Sequence, residues 1–148
     1  MDELRSAGAR VLAGGTQLTE GALADGFFCA PTLVEAPLSH PLWQQELFLP
    51  VLLIARVTNL DTAMSLANAT SLGLTAGFYG QASEVSWFLD HIEAGVTYVN
   101  RPQGATTGAW PGYQPFGGWK GSGNTGKGIA SAYYLALYQR EQSQTLVE

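Results

Sequence analysis

Cysteine, histidine, charge and long apolar runs are all scarce in this chain. One cysteine in 148 residues, Cys29, excludes an intrachain disulfide, and a lone thiol suits a reducing cytosol better than a secreted, disulfide-stapled scaffold. His40 and His91 are the only histidines, and with one cysteine available they form no metal-ligand set. Seven Lys and Arg against twelve Asp and Glu give a net charge of -5. That leaves no basic stripe to track a nucleic acid backbone. The longest apolar run, "LFLPVLLIA", is broken by Pro50 and is too short to span a bilayer, and "MDELRSAGAR" at the start carries no apolar leader segment. A soluble cytoplasmic protein that touches neither nucleic acid nor membrane is the expectation.

What the chain has in quantity is glycine, 18 residues, concentrated in "GYQPFGGWKGSGNTGKG" over 112–128. Upstream of it, strand and helix patterns alternate. "RVLAGG" and "FFCAPTLVE" are β-prone, and the Pro-bounded "APLSHPLWQQELFLP" reads as loop or a brief helical turn. "VLLIARV" is a continuous apolar run of the kind found in a strand covered on both faces. In "NLDTAMSLANATSLG" the residues Ala63, Leu66 and Ala67 share a helical face, with Asn59 or Asp61 as cap and Gly73 as stop. "LTAGFYG" is again strand-like. "QASEVSWFLDHIEAG" predicts a second helix, capped by Ser83, with Val85, Trp87, Phe88, Leu89 and Ile92 on its apolar side and Gly95 at its end. "VTYVN" supplies another strand. Strand, helix, strand, helix, strand predicts an α/β fold with a mainly parallel sheet, since parallel neighbours need a crossover. Ligands in such sheets bind beyond the carboxyl ends of the strands, which directs attention to the glycine-rich stretch after "VTYVN".

Within that stretch "GSGNTGKG" satisfies the GxxxxGK spacing of a phosphate loop, with Lys127 as the point charge. Gly128 stands where a hydroxyl is needed for Mg²⁺, and no apolar strand runs directly into the loop. A phosphate-binding α/β protein therefore stays a minor alternative.

Five segments read together say more. "GFFCAPTLVE", "HPLWQQELFLPVL", "SLANATSLGLTAGFY", "IEAGVTYVN" and "QPFGGWKGSG" follow one another in the order of the C-terminal motifs of the aldehyde dehydrogenase superfamily, which the chain resembles from about Arg10 to its end. "TTGAWPGYQPFGGWKGSG" is most similar to the 1-pyrroline-5-carboxylate dehydrogenases, which oxidise glutamate semialdehyde with NAD⁺ in proline breakdown. The resemblance implies that Glu46 in "QQELFLP" hydrogen-bonds the nicotinamide ribose and that Phe48 packs beside ribose and nicotinamide. Such a carboxylate can accept two vicinal hydroxyls, and an adjacent ring limits the swing of the nicotinamide. It further implies that Gly108 and Ala109 anchor a substrate carboxylate through backbone N–H groups, and that Phe116 walls the aldehyde. Two departures stand out. The family has glycine where this chain has Leu49, and "RPQGAT" makes a longer link before "TGA". Taken alone, Glu46 reads better as a solvated glutamate at a helix end and Phe48 as an ordinary core phenylalanine, and Phe116 reads also as a core plug beside a Pro-Gly turn; the motif context favours the site roles.

The superfamily's chemistry needs a thiolate that attacks the aldehyde. Cys29, in a β-prone apolar run, reads instead as a small buried thiol, so no catalytic residue is assigned. In the family's motif order the nucleophile comes earlier. The expectation is thus a C-terminal part of an aldehyde dehydrogenase catalytic domain over 1–130, followed over 131–148 by a helix from about Ser131 and a terminal strand that pairs with another subunit in a homo-oligomer. NAD is the expected cofactor, with NADP as the variant, and a small aldehyde the expected substrate. On its own the chain is expected to be inactive. Lys120 and Lys127 are expected to be solvated. A non-catalytic subunit-interaction module is the second alternative.

Overall fold

The computed structural model describes residues 1–102 and 114–148. They form two units, Met1–Thr62 and Ala63–Glu148, both built from strands and helices, and the fold class is α/β.

In the first unit, helix α1 (Asp2–Ser6) leads into β1 (Arg10–Ala13), which lies antiparallel to β4 (Thr32–Glu35). Strand β5 (Val51–Ile54) pairs with β4 in parallel, from Thr32↔Val51 to Glu35↔Ile54. The central strand alternates: Thr32 and Val34 are buried, and Val34 forms a core with Leu4 and Ala36. Glu35 instead meets Arg10 and Arg56. A short hairpin joins β2 (Gln17–Leu18) to β3 (Phe28–Cys29). "FFCAPTLVE" is therefore two strands. Pro31, with no N–H to give a ladder, separates them. The Pro-bounded stretch carries a 3-10 turn at Pro41–Gln44. Buried His40 caps that turn, its Nδ1 accepting from the Leu42 N–H at 3.2 Å, so this histidine is used by the backbone.

Helix α2 (Leu60–Asn68) opens on Asn59, whose Oδ1 accepts from the Thr62 N–H at 2.8 Å. It stops at Asn68, well before Gly73, and Leu66 and Ala67 are exposed. In the second unit come β6 (Leu72–Gly73), β7 (Thr75–Phe78), α3 (Val85–His91), β8 (Val96–Val99) and β9 (Trp119–Lys120). The β7–α3–β8 segment is a crossover unit, its strands parallel from Thr75↔Val96 to Phe78↔Val99. Phe88 and Ile92 of its helical stretch are buried with Ala94 against Met64, Ala76 and Phe78. The Phe78 and Phe88 rings stack at 4.9 Å. A 3-10 turn, Ala82–Glu84, leads into the helix and is capped by Glu84, whose carboxylate accepts from the Gln81 N–H at 2.8 Å; α3 itself has no side-chain cap, from Ser83 or otherwise. Leu89 lies half-exposed outside the core.

Pairing is more mixed than the sequence pattern predicts. The β4–β5 and β7–β8 pairs are parallel, whereas β1–β4, β2–β3 and β6–β9 are antiparallel. The helix expected from Ser131 is only a 3-10 turn at Leu135–Tyr138, and 139–148 carry no strand. A strand takes its hydrogen bonds from a neighbour, and Leu146 and Val147 are over nine-tenths exposed with none beside them among the described residues. No helix among the described residues is long and apolar enough to cross a membrane.

Candidate functional site

Glu46 and Phe48 sit in the irregular segment between the 3-10 turn and β5. Leu47 and Leu49 line an apolar cavity of about 500 Å³ with Phe27, Phe28 and Leu42; Leu47 is half-buried, Leu49 is 57% exposed, and Glu46 and Phe48 face solvent. The Phe48 ring is 90% exposed, and its backbone stands at φ 48°, a region that costs a non-glycine residue about 1 kcal/mol or more. Among the described residues Glu46 enters no hydrogen bond or ion pair. A carboxylate with both oxygens available and an aromatic face two residues along are suited to a vicinal diol and a stacked ring. Cys29 is half-buried on β3 at the same cavity.

Phe116 belongs to the second unit. It is half-buried and forms a two-residue bridge with Ile129: its N–H donates to the Ile129 carbonyl at 2.9 Å, and the Ile129 N–H donates back at 2.7 Å. This bridge closes the glycine-rich loop around a cavity of about 400 Å³, lined by Phe116, Ser122, Asn124, Lys127 and backbone of the glycines. The loop lies directly on β8's approach. A Cβ added to Gly95 would stand 2.8 Å from the Gly117 carbonyl carbon and 3.0 Å from the Gly118 Cα, so only glycine admits the contact. Gly108 and Ala109 lie outside the described residues.

Lys120 is not solvated, in contrast to the expectation. Its Nζ donates to the Asn68 carbonyl at 2.6 Å and the Thr70 carbonyl at 3.2 Å, and pairs with Glu93 Oε2 at 2.6 Å. Asn68 adds two more ties, Nδ2 donating to the His91 carbonyl at 2.8 Å and Oδ1 accepting from the Glu93 N–H at 2.9 Å. Residues 68, 93 and 120 are too far apart in sequence for any spacing to have revealed this network. Lys127 is engaged differently, with its ammonium 4.2 Å from the centre of the Tyr133 ring. Among the described residues no three His, Cys, Asp or Glu side chains group as metal ligands.

The aldehyde dehydrogenase family model matches residues 1–143. The chain belongs to the aldehyde dehydrogenase family. It is 49% identical over 96 residues to N-succinylglutamate 5-semialdehyde dehydrogenase 2 of Caulobacter vibrioides, an alignment covering 64% of this chain and 18% of that protein. Its fold is similar to the 1-pyrroline-5-carboxylate dehydrogenase from Thermus solved with bound NAD: TM-score 0.80, 35% identity, 93% of this chain and 25% of that one. Another similar aldehyde dehydrogenase structure is the glyceraldehyde-3-phosphate dehydrogenase of Methanocaldococcus jannaschii complexed with NADP, at TM-score 0.68 and 27% identity over 82% of this chain and 24% of that one. The chain thus spans about a quarter or less of the length of these aldehyde dehydrogenases.

Proposed function

We propose that these 148 residues form the part of an NAD-dependent aldehyde dehydrogenase that grips the nicotinamide ribose and walls the aldehyde, acting in the cytoplasm within a longer polypeptide. The observation that carries this reading is the pair Glu46 and Phe48: among the described residues the carboxylate has no partner, and the ring stands in solvent at strained backbone while Leu47 between them is half-buried at an apolar cavity. A fold rarely spends strain on an exposed aromatic unless something outside the chain uses it. Glu46 would accept the two ribose hydroxyls, and Phe48 would limit the rotation of the nicotinamide. NAD, when bound, supplies the hydride acceptor. Phe116 would exclude water from the aldehyde carbon, with Gly108 and Ala109 anchoring a substrate carboxylate.

The substrate we propose is L-glutamate 5-semialdehyde, in proline breakdown. A second reading, N-succinylglutamate 5-semialdehyde, draws on the 49% identity to the Caulobacter enzyme. Both molecules present the same aldehyde on the same carbon skeleton and differ at the amino group. NADP is the variant cofactor, favoured by the complex of the archaeal relative. Cys29, half-buried beside an apolar cavity, is not assigned as nucleophile, so the 148-residue chain alone should form no NADH. Residues 139–148, exposed throughout, would join subunits of a homo-oligomer.

A chimera in which this chain replaces the aligned quarter of the Thermus enzyme tests the reading. NADH formation with glutamate 5-semialdehyde exceeding that with its N-succinyl derivative is the expected result. A reversed preference selects the second substrate, and a folded chimera inert to both overturns the proposal.

A further inference from the structure

We propose that Lys120 is a positioning residue for Phe116, acting as a three-way tie that seats the glycine-rich loop on the turn between α3 and β8. An ammonium has three protons on a compact tetrahedral centre. Here three acceptors surround it: the Asn68 carbonyl, the Thr70 carbonyl and the Glu93 carboxylate. Each belongs to a different role in the chain. Asn68 ends α2, Thr70 lies just before β6, and Glu93 sits between α3 and β8. The Lys120 side chain is only 23% exposed, which weakens solvent's competition for those acceptors. Its backbone stands at φ 51°, a strained state that persists only where surrounding contacts over-determine it.

The consequence reaches Phe116 through short, stiff links. Trp119 and Lys120 pair with Gly73 and Leu72, Gly121 N–H donates to the Ser71 carbonyl at 2.9 Å, and Gly117 is in backbone contact range of Gly95. With Lys120 seated, the Phe116–Ile129 bridge has one register. Without it, the loop keeps its backbone pairing to β6, the Gly121–Ser71 bond, the Gly73 N–H to Ser122 Oγ bond and the two bridge hydrogen bonds, but loses the three side-chain ties to Asn68, Thr70 and Glu93. The catalytic consequence rests on the reading of Phe116 as the aldehyde wall, but the positional claim does not.

Amide hydrogen exchange resolved by NMR on the full chain tests it. In Lys120→Met, exchange at the Phe116 and Ile129 amides should accelerate about tenfold or more, because local opening becomes easier, while Val96 and Asn100, bonded across β7 and β8, stay within about twofold. Lys120→Arg should not restore protection, since a planar fork does not meet three converging acceptors. Lys120→Cys in a Cys29→Ser background, alkylated with bromoethylamine to rebuild an ammonium of lysine's reach, should restore it. If Lys120→Met unfolds the chain, Glu93→Gln is read on the same four amides and should loosen the same two. Unchanged exchange at Phe116 and Ile129, equal acceleration at all four amides, or full restoration by arginine overturns the proposal. No aldehyde enters the measurement, so failure here leaves the substrate reading standing, and an inert chimera leaves this result standing.

Discussion

Replacing Gly95 by alanine puts a methyl group into the backbone of the glycine-rich loop. Gly95 does not have a left-handed backbone, unlike Gly8 at φ +82°, so the substitution carries no torsional penalty. On that ground alone alanine should stabilise the chain by about 0.4–1 kcal/mol, through the narrower unfolded ensemble. The packing says otherwise. The new Cβ would lie 2.8 Å from the Gly117 carbonyl carbon and closer still to its oxygen, well inside the separation of about 3.5–4.0 Å at which carbon atoms pack. Backbone cannot swing aside as a flexible side chain does, so the loop must lift. Overpacking of this kind costs about 1–3 kcal/mol, and the strained Phe116–Ile129 bridge puts at risk two hydrogen bonds worth about 1 kcal/mol each. The net destabilisation should be about 2–4 kcal/mol, or a fall in melting temperature of roughly 10–20 °C for a unit of this size. Thermal unfolding of Gly95→Ala, together with amide exchange at Phe116 and Ile129, measures it. Gly8→Ala is the control: nothing lies within 4 Å of its added Cβ, so it should lose only about 1–2 kcal/mol to torsional strain and leave the loop amides protected. A Gly95→Ala chain as stable as the parent would refute the contact between Gly95 and Gly117.

Two further perturbations address the cores and the surface. Phe88→Ala removes a side chain that is 4% exposed and stacked on Phe78, and urea denaturation should show a loss of about 3–5 kcal/mol. The Glu35 carboxyl is held below its ordinary value of 4.5 by the hydrogen bond from Arg10, against some opposition from burial, with the charges of Arg10 and Arg56 helping. A lowered folded-state pKa means the contribution is complete above about pH 4.5 and is lost as pH falls through the folded value. Glu35→Gln should flatten the stability–pH curve below pH 4.5 and reduce its salt sensitivity, with little change in the shape of the curve from pH 6 to 8.

Local patterns in the sequence were strong enough to read most elements. The strand at β5, the Asn59 cap and the β7–α3–β8 crossover follow from periodicity and capping, because each is decided by residues close in the chain, but β5 is not covered on both faces as its apolar run suggests, since Leu52 is 61% exposed. Ala63, Leu66 and Ala67 share a helical side, but spacing does not state what covers that side, and Leu66 and Ala67 are exposed. The terminal strand expected through "SQTLVE", 143–148, depends on a partner edge that local propensity cannot supply. At the candidate site, Glu46 and Phe48 are proposed from the ordered motifs, and their exposure beside half-buried Leu47 is visible only in three dimensions. Lys120 was misread as solvated because its acceptors, Asn68, Thr70 and Glu93, come together only through tertiary packing.

The kinetics of Glu46→Gln and Phe48→Ala in the Thermus chimera test the central claim most directly, with circular dichroism establishing that each variant is folded. Glu46→Gln should raise the KM for NAD about tenfold, as expected for losing charge-assisted hydrogen bonds to a sugar diol, and Phe48→Ala should raise it as well, while the KM for the semialdehyde stays nearly constant. Folded variants whose KM for NAD equals that of the unsubstituted chimera would contradict the assignment of this segment to the cofactor.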